Sequence, residues 1–307
     1  MSIQQRHDVI RFHRYGGSEV LELENIPVPE IGENELLIKI KAIGVNPIDW
    51  KLREGMRNVS LPFIPGAEAS GIIVKVGNAV KDHSVGQPIY GAIDHSYAQF
   101  ARVASDRVFA NPTHLSFEET AAIGGGKTAW GALFELGQLR KGQRVLIHGA
   151  SGGVGVFAVQ LARLAGAYVV ATASPRNINV LHLLGANEVV DYHEPDFEKK
   201  IVKVDVVLDA VGGELLQKSY ALVKVGGILL SIVQQPSQEK AKDFGIHAVW
   251  GGTKSLSSMK EVDHLIQAGQ IKPFLSKVFV SLKEAAEAQD YSQNGTKQMG
   301  KIVLTLI

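Results

Sequence analysis

The sequence predicts an α/β protein in which a doubly wound parallel sheet, with helices on both faces, follows a smaller β domain. Three observations carry this reading. A strand, a glycine-rich turn and a helix run without interruption from Arg144 to Arg163. From residue 144 to residue 250 strand-like and helix-like segments alternate, the pattern of parallel βαβ units. Residues 8–112 instead hold many short apolar runs punctuated by Gly and Pro, which points to a small barrel-like domain.

With 307 residues the chain has room for about two domains. Hydrophobic residues make up 45% and charged residues 21%, the balance of an ordinary soluble globular protein. The net charge of +1 supplies no field to attract nucleic acid or an anionic membrane. No apolar run approaches the ~20 residues that span a bilayer. The segment Met1–Asp8 lacks the apolar stretch of a secretory signal. Cysteine is absent, which excludes disulfides, thiolate catalysis and zinc sites built on Cys ligands. Together the missing signal and missing disulfides favour the cytoplasm.

Taken in order, Val20-Leu21-Glu22-Leu23-Glu24 alternates apolar and polar as a half-buried strand does, and Pro27 and Pro29 end it. Glu35–Gly44 is a second strand. Pro47 suits the first turn of a helix, with Asn46 as its N-cap and Asp49 as a first-turn carboxylate. Short strands follow at 72–77, 85–90 and 97–103, and Asn111-Pro112 closes the region. Ser116 and Glu119 then form a capping box that opens a helix. Beyond the glycine turn, strands are expected at 167–173, 188–192, 205–209, 228–233 and 247–250. Helices are expected at 178–184, 213–223, 259–268 and 282–290, and β structure returns over 272–307. There is no internal repeat.

The turn reads Gly149-Ala150-Ser151-Gly152-Gly153-Val154-Gly155. Against G-x-G-x-x-G the register is Ala150, Gly152, Gly155. Glycines let the chain bend and let phosphate oxygens approach, and the helix that follows presents unpaired N–H groups and a partial positive charge. A pyrophosphate is the ligand this arrangement fits. In such folds an acid some 20 residues later marks NAD, whereas a cation marks NADP. No Asp or Glu lies between Gly155 and Glu188, and the next strand ends at Ser174-Pro175-Arg176. Ser174 and Arg176 therefore point to the 2′-phosphate of NADPH. Arg176 is also what a solvated βα loop carries. The missing acid weighs more.

Five motifs occur in order along essentially the whole chain: Tyr15-Gly16-Gly17-Ser18-Glu19-Val20-Leu21, Gly44-Val45-Asn46-Pro47-Ile48-Asp49, Pro65-Gly66-Ala67-Glu68-Ala69-Ser70-Gly71, Thr128-Ala129-Trp130 and Gly300-Lys301-Ile302-Val303-Leu304. Together they resemble the medium-chain dehydrogenase/reductase superfamily, most closely its zinc-independent quinone oxidoreductase and enone reductase branch. The resemblance implies a GroES-like catalytic domain over 1–112 and 270–307 and a Rossmann domain over 113–269. It implies, by analogy, a homodimer that reduces quinones or α,β-unsaturated carbonyls, for which the NADPH read from Ser174 and Arg176 would be the reductant. A zinc-free dehydrogenase or enoyl-type reductase, and an NADPH-binding protein without turnover, are the alternatives.

Zinc alcohol dehydrogenases of this superfamily place a Cys where this chain has Asn46 and a His where it has Ala67, and no other histidines show ligand spacing. By the same resemblance Asn46, Asp49 and Thr128 line the nicotinamide end. Asn46 would offer amide donors, and Asp49 would orient its loop through Lys51. Ser151, Gly153 and Val154, with Gly152 in the turn, meet the pyrophosphate, and Tyr192 flanks the adenosine. Val211 and Ser231 lie at strand ends, where ordinary loop and core roles compete with cofactor binding. Gly124-Gly125-Gly126-Lys127 departs from the family pattern of Pro-Leu-Ala-Gly-Leu or similar. It is no ATP loop, since Ala121-Ala122 stand where the first Gly of G-x-x-x-x-G-K-[ST] is required. No general acid is evident, which leaves solvent as the proton source.

Overall fold

The computed structural model describes residues 4–252, 255–295 and 298–306. Met1–Ile3, part of the segment expected to lack an export signal, lie outside the described residues. The chain divides into two compact units, Met1–Gly124 with Pro273–Ile307, and Gly125–Lys272.

The first unit opens with strands β1 (Arg6–Arg11) and β2 (Glu22–Pro27), which pair antiparallel. The expected strand beginning at Val20 starts two residues later, because Ser18–Val20 is a 3₁₀ turn that buries Val20. Next come β3 (Glu35–Val45), helix α1 (Pro47–Arg53), β4 (Ala69–Val76), β5 (Pro88–Gly91), β6 (Phe100–Ala104), β7 (Val108–Ala110) and α2 (Phe117–Thr120). Ser116 and Glu119 form the expected capping box at the start of α2. This helix stays in the first unit. Ser70 Oγ donates to the Phe117 carbonyl at 2.6 Å, and Thr305 Oγ1 donates to Glu118 at 2.8 Å. The unit boundary therefore falls at 124 rather than at the expected 112.

Helix α3 (Gly124–Trp130) follows and continues into a π-helical stretch, Gly131–Leu136. Three glycines at its start cost helix propensity, so packing must supply the reason. A β-carbon on Gly126 would sit 2.9 Å from Val262 and 3.2 Å from Phe157. One on Gly125 would sit 2.8 Å from the Gly153 carbonyl carbon. The run is thus a close-packed helix start, which propensity alone does not predict.

The second unit contains β8 (Arg144–His148), α4 (Gly155–Leu164), β9 (Tyr168–Ala173), α5 (Ile178–Leu184), β10 (Glu188–Asp191), β11 (Val204–Asp209), α6 (Gly213–Ser219), β12 (Val223–Ser231), α7 (Gln238–Asp243), β13 (His247–Trp250) and α8 (Leu256–Gln267). Among the described residues its sheet runs β10-β9-β8-β11-β12-β13, with every pairing parallel. This is the doubly wound order in which the strand sequence reverses beside β8. The buried runs Val145–Ile147 and Val169–Ala171 fill its centre, as a sheet covered on both faces requires.

The chain then returns to the first unit with β14 (Leu275–Phe279), α9 (Ala285–Gln293) and β15 (Lys301–Thr305). The larger sheet of that unit is ordered β14-β15-β3-β4-β5-β7, and β6 also pairs with β3. Strand β3 is the spine, because β15 lies on one side of it and β4 on the other.

The glycine turn generates a stability test. A β-carbon on Gly155 would lie 2.6 Å from Ala150 backbone carbons, whereas one on Gly152 meets a single atom, Gly149 O, at 3.3 Å. Gly155→Ala should cost about 1–3 kcal/mol and lower the thermal midpoint. Gly152→Ala should leave it nearly unchanged. Thermal unfolding followed by circular dichroism distinguishes the two.

Candidate active site

In the first unit the polar residues gather where β15, β3 and β4 run side by side. The antiparallel register pairs Ile302 with Val45 and Ala69 with Ile43. One residue beyond each pair, Lys301 meets the end of β3 and Glu68 lies beside Gly44. Gly44 N–H donates to the Glu68 carbonyl at 3.1 Å. Two glycines clear the space for the Glu68 carboxylate, since a β-carbon on Gly44 or on Gly124 would overlap it. Gly300, at φ +107°, allows the close approach of the Phe274 carbonyl, which accepts the Lys301 N–H at 2.7 Å.

Asn46 stands at the centre of this cluster. Its amide oxygen accepts from the Lys301 ammonium, which also pairs with Glu68. Its amide nitrogen donates to Glu68 Oε1 at 2.9 Å and to the Gly44 carbonyl at 3.3 Å. Both donors that the sequence reading assigned to a substrate or nicotinamide are therefore engaged within the chain. The backbone N–H of Asn46 donates to Asp49 at 2.8 Å.

Asp49 is 1% exposed. It does not work through Lys51, whose ammonium lies over the Trp50 ring, 5.5 Å from its centroid. Its partners are the Asn46 N–H and the Tyr97 hydroxyl, which donates at 3.1 Å. Burial pushes the Asp49 carboxyl up to about 7, against the pull of those two hydrogen bonds and the Lys301 charge. Burial, with the charge of Asp49, also pushes the Tyr97 hydroxyl well above its ordinary range, so it stays a neutral donor. Lys301, Glu68 and Tyr97 were not singled out as site residues from sequence. The signal was available for two of them: Glu68 and Lys301 each stand at the entrance of an apolar strand inside a quoted motif.

In the second unit the carboxyl ends of the strands carry the polar groups. Gly149 turns at φ +71°, and Ser151, Gly152, Gly153 and Val154 lie partly open ahead of α4. The space beside Gly155 is closed to a β-carbon, so the turn wraps tightly on the helix end. Ser174 is nearly buried at the end of β9, while Arg176 is exposed and, among the described residues, forms no ion pair. Tyr192, half exposed after β10, stacks on His193 with ring centroids 4.2 Å apart. Thr128 lies in α3, with Gly252 close enough that a β-carbon there would be 3.0 Å from its methyl group.

At the end of β11 the carboxylate of Asp209 accepts from the N–H groups of Val211 at 3.0 Å and Gly212 at 2.9 Å. It also accepts from the Ser231 hydroxyl at 2.7 Å. Ser231 is fully buried, and its hydroxyl receives the N–H groups of Val233 and Gln234. It holds a loop rather than facing outward. Val211 is half exposed, and a β-carbon on Gly149 would sit 3.1 Å from its side chain. Beneath the turn His148 is fully buried, with Nδ1 3.0 Å from Thr172 Oγ1 and Nε2 unpartnered. Burial pushes its imidazole down to about 4, so it is neutral near pH 7.

Among the described residues, His13, Glu22 and Glu24 present converging ligand atoms. Pairing of β1 with β2 brings them together, which sequence spacing does not reveal. Glu24 there already bonds Arg11 at 3.1 Å. No helix among the described residues is long and apolar enough to cross a membrane.

The alcohol dehydrogenase GroES-like domain family matches residues 32–158, and the zinc-binding dehydrogenase family matches residues 184–304. A quinone oxidoreductase of Mus musculus is 34% identical, covering 97% of each chain. A 2-methylene-furan-3-one reductase of Solanum lycopersicum is 34% identical over 94% of this chain and 76% of its own. Among solved structures, the quinone oxidoreductase from Coxiella burnetii is similar at a TM-score of 0.90 and 31% identity, covering 98% of this chain and all of its own.

The two buried titrating groups generate a test with opposite signs. Asp49 holds its proton up to about 7 in the folded chain against an ordinary value of 3.8. The folded state thus binds more protons between those values, and this residue's contribution to stability falls as pH rises through that window. His148 titrates near 4 against an ordinary 6.5, so its contribution is lost as pH falls through that window. Urea unfolding across pH 4–8 should therefore show Asp49→Asn gaining on the wild type as pH rises to about 7. His148→Asn should gain on it as pH falls below about 6.5.

Proposed function

Because the chain belongs to the medium-chain dehydrogenase/reductase superfamily, we propose that it is an NADPH-dependent oxidoreductase that reduces quinones or α,β-unsaturated carbonyls without zinc. When bound, the reduced nicotinamide supplies a hydride. The chain's own residues bind, orient and polarise.

In this reading the amides of Ser151, Gly153 and Val154, ahead of α4, hold the pyrophosphate, while the Gly152 N–H closes the turn on the Gly149 carbonyl at 3.0 Å. The closed space beside Gly155 and the bend at Gly149 support it. Asp209 and Ser231 fix the loop that carries Val211, so that Val211 stands beside the turn. Tyr192 offers an exposed ring for the adenosine. The single observation that carries the choice of NADPH is the end of β9: no acid is present, Ser174 stands at the start of the turn that follows, and among the described residues the exposed guanidinium of Arg176 forms no ion pair. A ribose 2′-phosphate needs a cation there and is repelled by a carboxylate.

The residues around Asn46 do not fit zinc. Around Asn46 the donor set is an amide oxygen, a carboxylate paired with an ammonium, and the methyl group of Ala67. Structural and catalytic zinc sites are built from thiolates, imidazoles and unpaired carboxylates. No step is therefore routed through a metal. Alcohol oxidation loses its usual driver, whereas a conjugated acceptor needs only a fixed donor at its carbonyl oxygen. The acceptors named in the related quinone oxidoreductases and the furanone reductase belong to that class. The assembly we propose is a homodimer, for which the edge strand β13 with its half-exposed Trp250 is the supporting feature.

Steady-state oxidation of NADPH and NADH, measured across a panel of quinones and enones, tests this. Arg176→Ala should raise KM for NADPH at least about tenfold, as loss of a charge-assisted hydrogen bond does. It should leave KM for NADH and the melting temperature nearly unchanged. Equal effects on both cofactors would remove the assignment. NADPH binding with no oxidation anywhere in the panel would favour a binding protein without turnover.

A further inference from the structure

Resting on the reductase reading above, we propose that the ammonium of Lys301 is the electrophile that polarises the acceptor's carbonyl oxygen, with Glu68 and Asn46 as the residues that position it. The argument is a count of donors. The two amide hydrogens of Asn46 go to Glu68 and Gly44, its backbone N–H goes to Asp49, and the Tyr97 hydroxyl also goes to Asp49. None of these donors is left for a ligand. An ammonium carries three N–H donors. Among the described residues, those of Lys301 serve Asn46 Oδ1 and Glu68 Oε1, which leaves one.

Lys301 is held between these two acceptors. Its side chain keeps 9% of its surface open, and Glu68 keeps 12%. That degree of burial strengthens a charge–dipole interaction without sealing the group off. Gly44, Gly124 and Gly300 all serve this geometry, the first two by admitting the carboxylate and the third by setting the approach of Lys301.

The step balances as follows. For an enone, hydride from the reduced nicotinamide forms a bond to the β-carbon. The alkene pair shifts toward the carbonyl carbon, and the carbonyl π pair moves onto oxygen. Lys301 donates a hydrogen bond to that oxyanion and keeps its proton. Water delivers the proton that completes the α-carbon. A quinone takes the hydride at one carbonyl oxygen, forming its O–H bond; the ring π pairs shift to leave the other oxygen, which faces Lys301, as an oxyanion, and water protonates it to give the hydroquinone. Reduced acceptor and oxidised nicotinamide are the products.

The probe is 4-nitrophenol, whose anion is a conjugated oxyanion like the enolate. It is titrated by absorbance into the full chain, with and without NADP⁺, across its ionisation range. The wild type should bind the anion at least about tenfold more tightly than the neutral phenol, because the oxyanion accepts a charge-assisted hydrogen bond from the ammonium. Lys301→Met should abolish that preference. Glu68→Gln, which relieves the ammonium of its counter-charge, should keep or enlarge it. The double variant Lys301→Met/Glu68→Gln leaves no unpaired buried charge and should also lose it while still unfolding cooperatively. A merely structural Lys–Glu pair would lose the preference equally in Lys301→Met and Glu68→Gln, and that pattern overturns the proposal, as does a wild type with no preference. In turnover, Lys301→Met should lower kcat by about 10²-fold, the usual cost of a lost oxyanion donor, with KM for NADPH unchanged. Acceptor turnover that survives Lys301→Met would sink Lys301 and leave the reductase reading standing. A Lys301-dependent phenolate preference in a chain that oxidises NADPH with no acceptor would sink the reductase reading and leave the oxyanion site.

Discussion

A charged amine inside a β domain is the constraint from which the first unit follows. An ammonium taken out of water loses several kcal/mol of solvation unless its donors find acceptors of good geometry. Lys301 finds a carboxylate and an amide oxygen. Those acceptors come from different parts of the sequence, so the fold must bring three strands into register to assemble them. β3 lies in the middle, leads directly into Asn46 and receives β15 and β4 on its two sides. The requirement passes down to single atoms. Glycine is needed at 44 and 124 because any side chain would displace the carboxylate, and at 300 because the chain must bend at φ +107°. Asp49 completes the arrangement from α1. Its burial pushes its carboxyl up to about 7, which disfavours two full negative charges beside one positive one.

The second unit meets a different requirement with the same economy of groups. In a parallel sheet all strands end on one edge, and there several buried side chains of this unit hold loops. Asp209 takes two loop amides and a hydroxyl, and Ser231 takes two more amides. Buried polar groups used in this way stiffen the rim of the sheet, since each would be costly if left unpaired. His148 fits the pattern from below. Its neutral imidazole, engaged with Thr172, adds no charge beneath the glycine turn.

How much of this could be read in advance depends on whether a feature is local. The strand, turn and helix around Gly149–Gly155 were legible because their signals lie within a few residues: an apolar run, glycines, then helical periodicity. The capping box at Ser116 and the helix start at Pro47 were legible for the same reason. The roles of Asn46 and Ser231 were not. Their residue types suit donors to a ligand, but what each one bonds is decided by residues 255 and 22 positions away. The helix at Gly124 defied propensity because its glycines answer to Glu68, Gly153 and Phe157, none of which is near in sequence. Glu68 and Lys301 were visible only as members of motifs. Their pairing depends on strand register, which a single sequence does not specify.

The charge held by this cluster bears on which direction of chemistry it can assist. A divalent metal with neutral ligands places up to two positive charges at a substrate oxygen, enough to ionise an alcohol near neutral pH. An ammonium paired with a carboxylate has no net charge, and what it offers an oxygen is one directed N–H in a setting of low polarity. That stabilises an oxyanion formed in a transition state but does not create an alkoxide from a bound alcohol. In the reductase proposed above, a preference for conjugated acceptors follows from energetics, because conjugation already spreads the developing charge and leaves only a part of it for the protein to neutralise. The Glu68 carboxylate and the Asn46 amide oxygen, the oxygens a metal cation would need, both serve the Lys301 ammonium.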